Sequence, residues 1–253
     1  MSQGSRIEWT QTTWNPVTGC TKISLGCRNC YAERMARRLQ AMGQPRYADG
    51  FSVSLHEDLV SAPNAWVRPR LVFVNSMSDL FHEAVPGAFI ERVFQTMGEC
   101  PQHVFQILTK RGARLRELAP RLPWSRNIWI GVTVEDRQAT RRVGGLLEVP
   151  ASTRFLSCEP LLETLGELSL DGIDWVIVGG ESGPGARPMR QEWVEEVLAQ
   201  CRQQQVPFFF KQWGGPRKKR AGRTLHGRTY DEYPRSSVRA GSETRSEILP
   251  VAP

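Results

Sequence analysis

"LVFVNSMSD" (71–79) begins as an apolar run and ends in Asn75, Ser76 and Asp79. The residues after it change period. From Pro86, a residue suited to the first turn of a helix, Phe89, Ile90, Val93, Phe94 and Met97 recur at helical spacing. A buried strand that turns polar at its end, followed by an amphipathic helix, is the unit from which the rest of the chain can be read.

That unit recurs. "HVFQILTK" (103–110), "IWIGVTVED" (128–136), "TRFLSCEP" (153–160), "DWVIVGGESG" (174–183) and "VPFFFKQW" (206–213) read as strands. A short Arg- and Leu-rich helix follows the first of these, and a basic helix covers about 136–147. A helix over about 191–204 buries Trp193, Val194, Val197 and Leu198. Upstream, the spacing predicts a short strand within 7–18 and another at "FSVSL" (51–55). Near-continuous apolar strands separated by amphipathic helices imply a parallel sheet covered by helices.

Each strand of the series ends in polar residues: Thr109 and Lys110, Thr133 and Glu135, Glu159, Gly180 and Glu181, Lys211 and Gln212. In β/α barrels the strand C-termini converge on one face, which carries the active site. An open doubly wound sheet places ligands only beside a switch point. Polar endings throughout favour an α/β fold with a partial or closed parallel β/α barrel. The barrel domain is expected over 1–215, with a cluster loop at 18–31. After about residue 216, "RKKRAGRTLHGR" and a Ser-, Arg-, Glu- and Pro-rich stretch suggest a loosely ordered basic tail, 216–253.

The chain has 253 residues, 40% of them hydrophobic, enough for one sizeable core. No apolar stretch approaches the roughly 20 residues that span a bilayer, and no signal peptide is evident, so a cytoplasmic protein with no membrane partner is expected. A formal charge of +7 makes an anionic partner plausible.

Cys100, Cys158 and Cys201 are scattered through apolar contexts and read as small core residues. Cys20, Cys27 and Cys30 are different: they form C-x6-C-x2-C in "TGCTKISLGCRNCYAERMARRL" (18–39). Clustered thiols in a reducing compartment point to metal or redox chemistry. Gly19 and Gly26 relieve the backbone where the chain must curl. Three thiolates suit a four-coordinate zinc with a distant fourth ligand, or a [4Fe–4S] cluster with one iron left open. Behind them, Tyr31, Met35, Leu39 and Met42 form a helical stripe expected in the core, closed by Gly43 as a C-cap.

A three-cysteine loop after the first strand of a β/α chain resembles the radical S-adenosylmethionine (SAM) superfamily. "IEWTQTTWNPVTGCTKISLGCRNCYAERMA", "NSMSDLFHE", "LTKR", "SCEPLL", "VGGESGPGARPM" and "FFKQWGG" together resemble one branch, a phage-associated family of uncharacterised proteins, over about 6–215. The resemblance implies a [4Fe–4S] cluster on Cys20, Cys27 and Cys30, with SAM chelating the fourth iron. It implies reductive cleavage of SAM to a 5′-deoxyadenosyl radical that acts on an unidentified substrate. It also implies a partner protein encoded nearby.

This chain departs from the superfamily in three places. The usual first gap is three residues, and here it is six. Asn29 precedes the last cysteine, where an aromatic residue is common. The "GGE" that contacts the SAM amino group normally ends the second strand, but Gly179–Gly180–Glu181 falls near the sixth.

The candidate cofactor-contacting residues are Ser76, Asp79, Glu159, Gly179, Gly180 and Glu181. Glu181 would accept from an amine, or would simply sit on a turn. His82 reads as a polar packing residue. Lys110, Arg111 and Lys211 each read as solvated, yet together they favour a carboxylate or phosphate. Trp9, Trp14 and Trp213 are candidates to wall the site, with core burial the ordinary fate of each. The competing function is a metal-stabilised module that binds nucleic acid without catalysis, which the basic tail favours.

Overall fold

Strands form where the apolar runs lie, and their pairing order fixes the architecture. The computed structural model describes residue 5 and residues 7–234. Among these, the strands are β1 (Thr12–Trp14), β2 (Val17–Thr18), β3 (Ser54–Leu55), β4 (Leu71–Val74), β5 (Val104–Thr109), β6 (Ile128–Thr133), β7 (Thr153–Cys158), β8 (Trp175–Gly179) and β9 (Phe208–Gln212). Seven make one sheet in the order β1-β4-β5-β6-β7-β8-β9, with every pair parallel. β2 and β3 form a separate antiparallel ribbon. Sequence order is kept from edge to edge, so the sheet has no switch point of the doubly wound kind.

The helices are α1 (Tyr31–Ala41), α2 (Glu57–Val60), α3 (Gly87–Glu99), α4 (Gly112–Leu118), α5 (Arg142–Leu147), α6 (Gln191–Gln203) and α7 (Lys218–Ala221). α3, α4, α5 and α6 each link successive strands, whereas the β7–β8 connection, 159–174, carries no helix. The basic helix expected over about 136–147 is a 3-10 turn, Arg137–Arg141, running into α5. No described helix is long and apolar enough to cross a membrane.

The sheet curls into a half-barrel, and one contact demonstrates it. Trp9 precedes β1, yet its ring centroid lies 6.2 Å from that of Trp175 on β8. Five inter-strand steps of about 4.8 Å would separate β1 from β8 by roughly 24 Å in a flat sheet. The gap is bridged across the concave face, where Trp9, Trp129, Phe155, Trp175, Ile177 and Phe209 form a buried cluster. The convex face carries the larger core, in which Val72, Val74, Phe105, Ile107, Ile130, Val132, Leu156, Val176, Val178, Phe208 and Phe210 meet the helices. β1 and β9 do not pair, so the barrel is partial. Aromatic side chains thus fill the N-terminal end of the interior and leave its C-terminal mouth to polar groups.

Two expectations change. Trp9 and Trp14 belong to the two cores and do not wall a site. Residues 222–234 return to the fold: Trp213 N–H donates to Gly222 O at 3.1 Å, Phe210 N–H donates to Tyr230 O at 2.9 Å, Phe209 bridges Asp231, and Leu225 and Tyr230 are buried. The boundary expected at 215 therefore does not divide packed domain from loose tail. The rest of that expected tail, 235–253, lies outside the described residues.

Candidate functional site: a three-thiol loop across the barrel mouth

Segment 19–30 leaves the β2 ribbon and crosses the C-terminal ends of the strands, touching several in turn. Gly19 N–H donates to Met77 O at 3.0 Å beyond β4. Thr21 Oγ1 accepts from Arg111 Nη2 at 2.9 Å beyond β5. Gly26 lies against Glu135 beyond β6, so near that a Cβ would come within 3.1 Å of its carboxylate. Asn29 Nδ2 donates to Glu181 Oε2 at 2.9 Å and to Gly185 O at 2.8 Å, both beyond β8. Gly19 has a φ of +83°, and a Cβ there would stand 2.0 Å from Ser52 O, so the expected backbone relief is real at Gly19. At Gly26 the requirement is close approach.

The three thiols are half-buried on this loop. Burial pushes Cys20 up to about 11, with the nearby Asp79 charge adding to it, although Arg111 opposes both. Arg111 Nη1 reaches Cys20 Sγ at 3.7 Å. Burial also raises Cys30. Cys27 ends below its ordinary value: burial alone would raise it, but backbone donors, the Ser24 hydroxyl and the Lys110 charge outweigh that. The Cys27 charge also acts on both Cys20 and Cys30, raising each. Cys100, Cys158 and Cys201 are buried core residues.

One brace holds the Cys20 end. Asp79 Oδ1 accepts from Thr109 Oγ1 at 2.7 Å, and Oδ2 accepts from Lys110 N at 3.1 Å and Arg111 Nη1 at 3.4 Å. Arg111 also pairs with Glu83 at 2.8 Å. It is 5% exposed, so the solvated side chain expected from the sequence is in fact a buried tie. His82 Nε2 shares a hydrogen bond with Thr21 Oγ1 at 2.9 Å, and burial lowers its pKa, in keeping with a neutral packing role.

A second brace holds the Cys30 end. Arg187 donates to Glu181 through Nε at 2.9 Å and Nη2 at 2.5 Å, and Nη2 also donates to Leu25 O at 3.0 Å. Glu181 thereby clamps the cysteine loop. Gly180 has a structural reason as well, since a Cβ there would lie 2.0 Å from Trp213 O. Gly179 borders Glu159 and Lys211, whose Nζ donates to Glu159 Oε1 at 2.5 Å. Ser76 donates to Asn15 Oδ1 at 3.2 Å, away from the thiols' own contacts.

Between the braces, Glu135 is fully buried with Arg142 Nη1 at 2.6 Å and Lys110 Nζ at 3.4 Å. The second contact is an ion pair without hydrogen-bond alignment; among the described residues Lys110 Nζ has no hydrogen-bond partner. Burial works to raise the Glu135 carboxyl, but Lys110, Ser24 and Arg142 together outweigh it and hold the group below its ordinary value. Asn29, Arg142 and Arg187 are the site residues that sequence reasoning missed as participants. "GARPM" was visible as a motif, but nothing local tells which carboxylate its arginine meets.

A parallel half-barrel with a three-thiol loop braced across its C-terminal mouth is the class that fold and site define. The chain belongs to the family described as "Protein of unknown function (DUF5131)", whose model matches residues 4–234. Among solved structures it is similar to a spore photoproduct lyase complexed with dinucleoside spore photoproduct, at 10% identity and a TM-score of 0.43. That similarity covers 73% of this chain and 59% of the other. No curated protein sequence matches the chain.

Proposed function

We propose that Cys20, Cys27 and Cys30 hold a [4Fe–4S] cluster whose open iron binds SAM, and that the protein starts radical chemistry on an anionic substrate at the mouth. The observation that carries this reading is the placement of three half-buried thiols over the converging strand ends. The donor set fits the group: three thiols, no fourth cysteine nearby, and a lysine and an arginine beside them to offset thiolate charge. Among the described residues, no group of three His, Cys, Asp or Glu side chains is arranged to hold a metal ion, so the reading rests on residue type and on the loop's place at the mouth.

When bound, the group would supply one-electron cleavage of the SAM sulfonium and so a 5′-deoxyadenosyl radical that takes hydrogen from substrate. The chain's own residues do the rest. Arg111 and Lys110 favour the thiolates of Cys20 and Cys27. Lys211 is held by Glu159 and Lys110 by Glu135, so the positive charge open to a carboxylate or phosphate at the mouth is that of exposed arginines such as Arg28 and Arg190. The aromatic cluster closes the interior from below and excludes water there.

Anaerobically reconstituted protein should carry about four irons per chain, and SAM should perturb the EPR spectrum of its reduced form. Stoichiometric zinc with no iron uptake would sink the reading. A second reading, a metal-stabilised nucleic-acid-binding module without catalysis, has an observation of its own. Glu181, the carboxylate expected to receive the SAM amine, already accepts from Asn29 and Arg187. Release of 5′-deoxyadenosine from SAM under reducing conditions separates the two.

A further inference from the structure

Three segments at the mouth are tied into one rim. Arg34 of α1 donates to Ser182 O at 2.5 Å and Pro184 O at 3.2 Å. Gly183 N–H donates to Gly215 O at 3.0 Å, and Gly215 N–H to Glu181 O at 2.7 Å. The cysteine loop with α1 (22–41), the loop 181–190 and the segment 213–220 are therefore contiguous. Together they hold eleven Lys or Arg and two carboxylates, Glu33 and Glu181. Both carboxylates are spent internally, Glu33 on Lys22 and Arg37, Glu181 on Arg187. Arg28, Arg38, Arg190, Arg217 and Arg220 are exposed and have no carboxylate partner among the described residues. Arg38 follows Arg34 by one helical turn and so lies on the same side of α1.

The rim is also apolar at its centre. Leu25 is 64% exposed, Ile23 45% and Tyr31 49%, all on or next to the cysteine loop. A solvated charge run has no need of exposed aromatic and aliphatic groups among its arginines. Grooves for single-stranded nucleic acid combine the two, because cations follow the phosphates while unpaired bases stack on apolar faces. A duplex keeps its bases stacked internally and offers none to Tyr31.

We propose that this rim is a binding track for single-stranded nucleic acid. The inference names the class of anionic substrate for the mouth, and it rests on the preceding reading only for the chemistry, not for the binding. Each arginine neutralising a phosphate releases counterions, so affinity should fall with salt at a slope of about −0.7 per contact. Five contacts predict a loss on the order of 100-fold between 50 and 200 mM salt.

The test is fluorescence anisotropy with a labelled 20-nucleotide DNA of mixed sequence, on iron-free and on anaerobically reconstituted protein. Arg28→Ala/Arg38→Ala/Arg217→Ala/Arg220→Ala should weaken binding at least about tenfold and flatten the salt slope by roughly 0.7 per residue. Tyr31→Ala should weaken it on the order of tenfold with the slope unchanged. Arg68→Ala/Arg121→Ala/Arg126→Ala removes exposed arginines that precede β4 and β6, at the opposite end, and should leave binding within about twofold.

The proposal is overturned if the oligonucleotide does not bind at 50 mM salt, or if the opposite-end variant loses as much as the rim variant. It is equally overturned if a 20-base-pair duplex binds more tightly, or if polyglutamate competes as well as DNA. Iron uptake without DNA binding would overturn this inference alone, whereas DNA binding without iron uptake would overturn the cluster alone.

Discussion

Glu181 sits in a buried position where a carboxylate is costly unless it is well paired. Burial works to raise its pKa, but the Arg187 and Asn29 hydrogen bonds outweigh that and hold it at about 2. A carboxylate depressed on folding stabilises the fold fully above its unfolded value near 4.5, and that contribution drains away as pH falls toward 2. Glu181→Gln should lose about 1.5–3 kcal/mol at pH 7, the range for hydrogen bonds to a charged group. The gap to wild type should narrow as pH drops below about 4, which urea titrations at several pH values would measure. A gap independent of pH would show that the charge contributes nothing. The sequence pointed at this residue for another reason, as an acceptor for an amine. Its partners are a loop arginine six positions on and an asparagine across the barrel, and neither spacing has a period that a sequence could reveal.

Elements were legible where one face is continuously apolar. Strands β4 to β9 and helices α3 and α6 follow the runs and spacings closely, because each buries side chains along its whole length. β1 is three residues, two of them threonine, and its place at the sheet edge comes from pairing with β4 rather than from its own pattern. α1 misled for a different reason. The stripe of Tyr31, Met35, Leu39 and Met42 was expected in the core, and Met35 and Leu39 do pack, partly buried, against Ala32, Ala36 and Met77, but Tyr31 and Met42 are exposed. This helix lies at the mouth and approaches its neighbours through small side chains. The same distinction between open and crowded backbone predicts opposite outcomes for two glycines. Gly180→Ala drives a Cβ onto Trp213 O and should destabilise by about 3 kcal/mol or more. Gly144→Ala meets nothing within 4 Å on the exposed side of α5 and should stabilise by about 0.5–1 kcal/mol. Thermal denaturation of the pair decides both.

At the scale of the molecule, polar endings on successive strands were enough to choose a barrel over a switched sheet, because the ordered sheet puts all those endings on one rim. Composition could not show that the basic stretch after residue 215 returns to the fold. Its charges look like a solvated tail, but Leu225 and Tyr230 enter the core and Trp175 Nε1 donates to Glu232 O at 2.7 Å. Truncation after Gly215 should therefore abolish cooperative unfolding, measured by circular dichroism, and a truncated chain that still melts in one sharp transition would refute this. The floor of the barrel carries one more consequence. Trp9 and Trp129 both meet Trp175 nearly edge-on, at 6.2 and 6.0 Å. Indoles held so close in fixed, asymmetric orientation behave as coupled chromophores. Their shared near-ultraviolet signal makes the floor an optical gauge of barrel closure that needs no label and owes nothing to whatever occupies the mouth.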